Sequence, residues 1–366
     1  MEKITLKIRE RKKQYPIIIG CDVVEELKRY IDKNHKGKKI VMITDVNVVN
    51  AAKGYLEKAA PLFHDLKIIT LPFGEQTKSR AAKAMIEDKL IEENYGRDTL
   101  LIAFGGGVIG DLTGFIAATY NRGIPFVQVP TSLLAMVDSS IGGKTGVNTE
   151  HGKNLIGAFH QPDSVIIDVE LLDTLPEEEL KNGLVEVIKI ACVLDKNLFV
   201  MIEKHRDDIL NKNKEILQVI IKKSLELKKK VVELDEQESG LRKILNLGHT
   251  VGHALEYLSN YTLKHGFAVA IGIIAENKAA VEKGLLDKTE LERIEKLFIS
   301  LGLETRIPAE VNANSIIKTI KKDKKVVNGN PQFILLEKIG KVYTTTNNIV
   351  SHHVDEELIK RIIQNN

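Results

Sequence analysis

Cysteine is scarce in this 366-residue chain, which has two, Cys21 and Cys192. Neither belongs to a CxxC pair, so they read as buried or incidental thiols of a reducing compartment. Long apolar runs are missing as well. The N-terminal stretch MEKITLKIRERKKQYPIIIG holds no apolar run of signal-peptide length. Nothing approaches the roughly 18 to 20 uninterrupted apolar residues of a membrane span, so the expectation is a soluble, cytoplasmic protein with no membrane partner. An excess of one charge sign is also lacking. A net charge of +3 is too small to point to nucleic acid, and most lysines are interspersed with acids as on a solvated surface. Repeats and low-complexity tracts are absent, the lysine-rich patches at 222–230 and 318–325 coming closest.

What is present has globular proportions, 43% hydrophobic and 28% charged, over a length sufficient for two domains. The first half alternates short β-rich runs with helical patterns, notably 79–94. The runs fall at 4–8, 16–20, 39–45, 66–71, 99–104, 126–130 and 165–168. This alternation predicts an α/β domain with a largely parallel sheet. A change comes at LDTLPEEE, residues 172–179, where Thr174 and Glu177 have capping-box spacing and Pro176 suits a first turn. Beyond it the patterns are almost all helical: 177–194, 214–234, 246–259, 268–283 and 289–301. A short β-like pair near 332–336 and 341–345 is the exception. The boundary is placed near 175, giving an α/β domain over 1–175 and a mainly helical domain over 176–366.

Residues 104–162 are the most informative. Clusters of glycine, at 105–107, 110 and 142–143, stand beside isolated charges (Asp111, Arg122, Asp138, Lys144, Lys153) in apolar surroundings. Glycine is useful where backbone must approach a ligand, and a charge amid apolar residues needs a partner, so the segment reads as the wall of an anion site. Gly105, Gly107 and Gly110 satisfy G-x-G-x-x-G between a strand and a helix, which fits a nucleotide pyrophosphate or simply a tight turn. The usual downstream acid is missing; Asp45, at a strand end and followed by Asn47, stands upstream instead. Asn246, His249, His253 and Glu256 form a polar stripe on one helix face. His249 and His253 have metal-pair spacing, although Thr250 replaces the glutamate of H-E-x-x-H. His265 follows as a loop histidine, and surface histidines are the plain alternative. In the apolar helix GLVEVIKIACVL, Glu186 and Lys189 are either a buried ion pair or include the carboxylate of a metal site. Rotation by about 100° per residue puts Lys228 inside the apolar arc of Leu217, Ile221, Leu225, Val231 and Val232, marking it as a site candidate. Lys222, Lys223, Lys229 and Lys230 fall on the solvated side.

The blocks GGGVIGDLTGFIAATYNRG, VPTSLLAMVDSSIGGKTGVN, GKNLIGAFHQP, GLVEVIK, DEQESGLRKILNLGHTVGHALE and DKKV, taken in order, closely resemble the 3-dehydroquinate synthase family, from about residue 44 to 326. The resemblance implies an N-terminal α/β nucleotide-binding domain, a helical C-terminal domain with the active site between them, and a homodimer. It implies conversion of 3-deoxy-D-arabino-heptulosonate 7-phosphate, a small sugar-acid phosphate, to 3-dehydroquinate and phosphate, a shikimate-pathway step. NAD would transiently oxidise the C5 alcohol, phosphate would leave by β-elimination, and re-reduction and an aldol closure would follow, with a divalent metal, zinc or cobalt. The metal ligands implied are Glu186, His249 and His265, which moves His253 to the substrate. Substrate positions are Asp138, Lys144, Asn154, Lys189, Lys228, Arg242, Asn246, His253 and Lys324 or Lys325. Arg122 would reach a neighbouring subunit's site. NAD positions are Asp45, Asn47, Glu75, Lys78, Gly106, Gly107, Val108, Asp111, Thr131, Ser132, Ser139, Lys153 and Thr174. Two features depart from the family pattern: Phe267 stands where H-G-E usually has its acid, and 259–264 lacks the common glycine-rich form. The alternatives are another sugar-phosphate cyclase, whose substrate lacks a carboxylate, or a glycerol-type metal-dependent NAD dehydrogenase. Lys228 and Arg242 favour the carboxylated substrate.

Overall fold

The computed structural model describes residues 13–321 and 331–364. The strand expected at 4–8, the DKKV block and both Lys324 and Lys325 lie outside them. Strands β1 (Ile17–Gly20), β2 (Lys39–Asp45), β3 (Lys67–Leu71), β4 (Thr99–Gly105), β5 (Phe126–Pro130) and β8 (Ser164–Asp168) form a six-stranded sheet in the order β1-β8-β5-β4-β2-β3. Every pairing in it is parallel. β6 (Lys144–Thr149) and β7 (Gly152–Phe159) make a separate antiparallel hairpin. Helices α1 (Val24–Asn34), α2 (Val46–Ala51), α3 (Lys53–Ala59), α4 (Arg80–Glu92) and α5 (Gly107–Thr119) accompany the sheet. The chain then becomes helical: α6 (Glu177–Leu194), α7 (Lys196–Lys204), α8 (Arg206–Leu210), α9 (Lys214–Leu234), α10 (His249–Leu258), α11 (His265–Glu282), α12 (Lys288–Ser300), α13 (Ala313–Ile320) and α14 (Glu356–Gln364).

Alternation along β4 shows how the layers are joined. Leu101 and Ala103 face one hydrophobic cluster with Ile109, Leu112 and Ile86 of the covering helices. Leu100, Ile102 and Phe104 face another that continues without a break into Ile188, Phe199, Ile220 and Ile271 of the helical half. The sheet's second face is therefore covered by α1 and α3 together with the helical region. Strands buried on both faces read as continuous apolar runs, which explains why β4, β5 and β8 were visible in the sequence.

Several local expectations change. The hairpin β6–β7 was not anticipated. Thr174 does not cap α6: its hydroxyl donates to Leu171 O at 2.9 Å, closing a 3₁₀ segment, and Pro176 occupies the cap position without a side-chain bond. The helix expected from 246 starts at His249, because Gly248 takes a left-handed conformation (φ 79°) and Asn246 ends a preceding 3₁₀ turn. His265 is not in a loop but is the first residue of α11. The late β-like pair splits: Gln332–Phe333 (β9) pairs with His352–His353 (β12), and Leu336–Lys338 (β10) pairs with Lys341–Val342 (β11). Among the described residues, no helix is long and apolar enough to cross a membrane.

Helices α10 and α11 approach at glycine. A Cβ on Gly272 would lie 2.0 Å from Gly248 O, and one on Gly252 would lie 3.1 Å from Ala268 O. Backbone cannot swing aside as a side chain can, so Gly272→Val should force the two helices apart. Overpacking of this kind costs about 1–3 kcal/mol or more. The expected result is a lower thermal midpoint by calorimetry; an unchanged midpoint would contradict the close approach.

Candidate active site

The chain leaves β2 for β3 on one side and returns to β4 on the other, so the carboxyl ends of β2 and β4 flank a topological switch point, where open α/β sheets bind ligands. A cleft of about 1970 Å³ opens there and extends to α6, α9, α10 and α11. Asp45 ends β2 and caps α2, accepting the N–H of Asn47 at 2.9 Å and of Val48 at 3.1 Å. Burial pushes its carboxyl above the usual aspartate range, against those two bonds. Gly106 is the cap of α5, and Gly107 and Val108 begin it, so the helix's first amides lack intrahelical partners at the cleft wall. A Cβ on Gly107 would lie 3.1 Å from Ser139 Oγ, and one on Gly106 would lie 3.5 Å from Ser132 Oγ. Thr131 donates its N–H to Gly105 O at 3.0 Å, seating the turn after β5 beside the glycines. Lys78, 5% exposed, donates to Asp111 Oδ2 and Asn154 Oδ1, both at 2.5 Å. Glu75 accepts from Asn148 of the hairpin at 2.6 Å.

Across the cleft, cations stand beside acids. Lys228 Nζ donates to Asp138 Oδ1 at 2.5 Å and to Asp138 O at 2.6 Å. Burial alone would raise the Asp138 carboxyl; Lys228 and Lys189 outweigh it and hold it well below the usual range. Lys189 pairs with Glu186. Lys144, on β6, pairs with Glu238, which also accepts from Asn246 Nδ2 at 2.6 Å. Arg242, 2% exposed, donates to Gly142 O at 3.1 Å. Gly142 has φ 96°, and a Cβ there would sit 2.3 Å from Arg242 Nη2, so this glycine admits the guanidinium. Asp235 shapes the loop that carries Glu238 and Arg242, accepting the N–H of Ser239 (2.9 Å), Gly240 (2.8 Å) and Arg242 (2.9 Å).

Glu186, His249 and His265 converge at the floor of the cleft. Glu186 is fully buried, and its Oε1 has no hydrogen-bond partner among the described residues. That oxygen lies 3.8 Å from His249 Nε2 and 3.5 Å from His265 Nε2. The edges of a tetrahedron with metal–ligand bonds of about 2.0 Å are roughly 3.3 Å, so small inward shifts would suit a zinc-like ion. His249 Nδ1 faces Leu247 O at 3.1 Å, which leaves the Nε2 lone pair for the shared centre. His265 shows the need for positive charge here. Burial lowers its basicity, yet the carboxylates of Glu186 and Glu256 push it up to about 10. An orphaned buried carboxylate oxygen and two converging imidazoles fit a divalent cation. The departures at 259–267 leave this arrangement in place: Phe267 packs on the core, while Gly266 donates to Asn182 Oδ1 at 2.7 Å and so fixes the start of α11.

All thirteen positions expected for NAD line the one cleft, as do Asp138, Lys144, Asn154, Lys189, Lys228, Arg242, Asn246, His249, His253 and His265. Glu186 lies beneath it. Arg122 does not line it; it is exposed on a turn with φ 64°. Sequence reasoning missed Asp235 and Glu238, and gave Glu256 no role beyond the helix stripe. Asp235 had a readable signal, the Asp-x-x-x-Ser-Gly pattern of a side-chain-closed turn.

Two family models match: residues 68–182 match 3-dehydroquinate synthase N-terminal, and residues 183–326 match 3-dehydroquinate synthase C-terminal. Among curated relatives, the 3-dehydroquinate synthase of Desulforamulus reducens is 42% identical over 92% of this chain and 95% of its own. That of Coxiella burnetii is 41% identical over 100% and 99%. A solved 2-deoxy-scyllo-inosose synthase, complexed with carbaglucose-6-phosphate, NAD+ and Co2+, superposes with a TM-score of 0.86 at 28% identity, covering 95% of this chain and 96% of that one. The 2-epi-5-epi-valiolone synthase of Streptomyces hygroscopicus, with NAD+ and Zn2+ bound, shares the fold with a TM-score of 0.88 at 23% identity, covering 99% of each.

Glu186→Gln or His249→Ala is expected to abolish tight zinc or cobalt binding, measured as metal retained after desalting; full retention would contradict the ligand set. Backbone bonds draw the Asp235 carboxyl down to about 2, against burial. Its contribution is therefore present above about pH 4 and lost as pH falls through about 2. Asp235→Ala should loosen the Arg242 loop at neutral pH, raising the substrate KM severalfold without reducing metal content.

Proposed function

The chain belongs to the 3-dehydroquinate synthase family, and from that premise we propose that its cleft converts 3-deoxy-D-arabino-heptulosonate 7-phosphate to 3-dehydroquinate and phosphate, with NAD recycled inside the site. The observation that carries this reading is the meeting, in one cleft, of a glycine-rich helix start, a row of buried cations and a carboxylate–histidine set with an orphaned oxygen. Bound NAD would supply reversible oxidation of the substrate's C5 alcohol, and zinc or cobalt on Glu186, His249 and His265 would supply Lewis acidity toward the reacting hydroxyls.

The chain's own residues bind and orient. The substrate carries a carboxylate and a phosphate, so it needs several fixed cations. Lys189, Lys228 and Arg242 are each at most 4% exposed, and their companions Glu186, Asp138 and Glu236 hold them in place before the ligand arrives. Arg242 and Lys228 support a carboxylated substrate over the simpler phosphates of related cyclases. Asn246 and Lys144, joined through Glu238, orient polar groups on the opposite rim. Glu75, Lys78, Asp111 and Asn154 form a connected set beside the start of α5, where a dinucleotide would lie. His253, one turn along α10 from His249, presents its ring 5.2 Å from that of His249 and is the candidate to carry protons near the reacting carbons.

A division near residue 175 belongs to the same reading, supported by the passage from β8 through a 3₁₀ segment into α6. So does a homodimer in which the exposed Arg122 serves the neighbouring site, and so does a cytoplasmic location.

Purified protein with substoichiometric NAD, zinc or cobalt, and the heptulosonate phosphate should release phosphate and dehydroquinate in equal amounts with no net NADH. Phosphate release without a carbocycle, or NADH accumulating with product, would defeat the reading. His253→Ala should keep its metal and lose about 10²–10⁴ in rate; loss of metal instead would return His253 to the ligand set.

A further inference from the structure

His265 stands between two carboxylates, and each has an oxygen without a hydrogen-bond partner among the described residues. Glu186 Oε1 lies 3.5 Å from His265 Nε2, and Glu256 Oε2 lies 3.4 Å from His265 Nδ1. Both acids are buried, at 0% and 2% exposure. An imidazole that ligates a cation has given up one proton and carries a single N–H, so it can donate to one of them while its other nitrogen faces the ion.

The surroundings decide which. Glu256 Oε1 accepts from Lys153 Nζ at 2.8 Å, and Lys153 is itself held over the Tyr261 ring at 4.5 Å. The Glu256 carboxylate is thereby fixed beside Nδ1. On the other side, Lys189 occupies Glu186 Oε2, while His249 turns a second ring nitrogen toward Oε1. On the Glu186 side two imidazole nitrogens face one orphaned oxygen; on the Glu256 side a carboxylate anchored by Lys153 faces Nδ1, with His253 close by.

We propose that Glu256 is the positioning residue of this site: it accepts the Nδ1 proton of His265, selects the tautomer that turns the Nε2 lone pair toward Glu186 and His249, and ties that ligand to Lys153 of β7. The inference rests on the metal reading given above. It also separates two overlapping groups, Glu186–His249–His265 and His253–Glu256–His265, each close enough to hold an ion. Filling the second would take Nδ1 of His265, turn its Nε2–H toward Glu186 Oε1 and remove His265 from the set that includes His249. With the ion on Glu186, His249 and His265, the second group supports the first and is not a separate cation site.

The test titrates metal-stripped, full-length chain with zinc and with cobalt in a metal buffer, for the unmodified protein, Glu256→Gln and Glu256→Ala. Loss of such an outer partner weakens metal binding about 10–100-fold. Glu256→Gln preserves volume and a bond to Lys153, but its amide can offer N–H to Nδ1 and favour the wrong tautomer. Both variants should lose at least tenfold in affinity and show an altered cobalt visible spectrum, while the metal-free Gln variant keeps its melting temperature. Unmodified affinity and spectrum in either folded variant would overturn the inference and leave the metal reading standing. A second tight metal on the unmodified chain would overturn it in favour of two sites. No metal on the unmodified chain would sink both readings together.

Discussion

Charge buried across a seam governs this structure. A buried ion without a counter-charge costs several kcal/mol even after relaxation, so each cation that the cleft presents needs an acid nearby. Here that acid often comes from the other half of the chain. Asp138 follows the sheet and Lys228 sits on α9; Lys153 is on β7 and Glu256 on α10; Lys144 is on β6 and Glu238 follows α9. The pairs that prepare the site are also ties between its two walls. The Lys144–Glu238 pair is the weakest of them, because Lys144 is 47% exposed and its attraction is screened by water. Such pairs seldom exceed the stability of apolar replacements, so the needs of the fold alone do not account for them.

The continuous core makes this arrangement stiff. Leu100, Ile102 and Phe104 on β4 share a cluster with Ile188 of α6 and Ile271 of α11. Glu186 and Lys189 are set in the same helix that covers the sheet, and His249 and His265 are placed by two helices brought together at Gly248, Gly252 and Gly272. Positions of the candidate ligands therefore follow from backbone contacts with little room for adjustment.

Local periodicity explains what was legible in the sequence. The runs of β4, β5 and β8 were readable because both faces of those strands are buried. Lys228 stood out because helical rotation placed a charge among aliphatic neighbours, and it proved 4% exposed. The switch from alternating β/α to helix was visible at LDTLPEEE. The hairpin β6–β7 was not, since one of its faces lies on α5 while the other exposes Leu155 and Phe159, which leaves no simple alternation. Glu238 and Glu256 lacked assigned roles for a different reason: their partners Lys144 and Lys153 are about a hundred residues away. Pairing at that separation is a tertiary property, invisible to spacing. His265 was misplaced in a loop because nothing local signals that Asn182 fixes the start of α11.

Anomalous diffraction at the zinc or cobalt edge, on crystals of the metal-loaded chain, tests the central claim most directly. The account predicts one peak per chain, within bonding distance of Glu186, His249 Nε2 and His265 Nε2, with Glu256 still between His265 Nδ1 and Lys153. A peak among His253, Glu256 and His265 Nδ1, with Glu186 unligated, would contradict it.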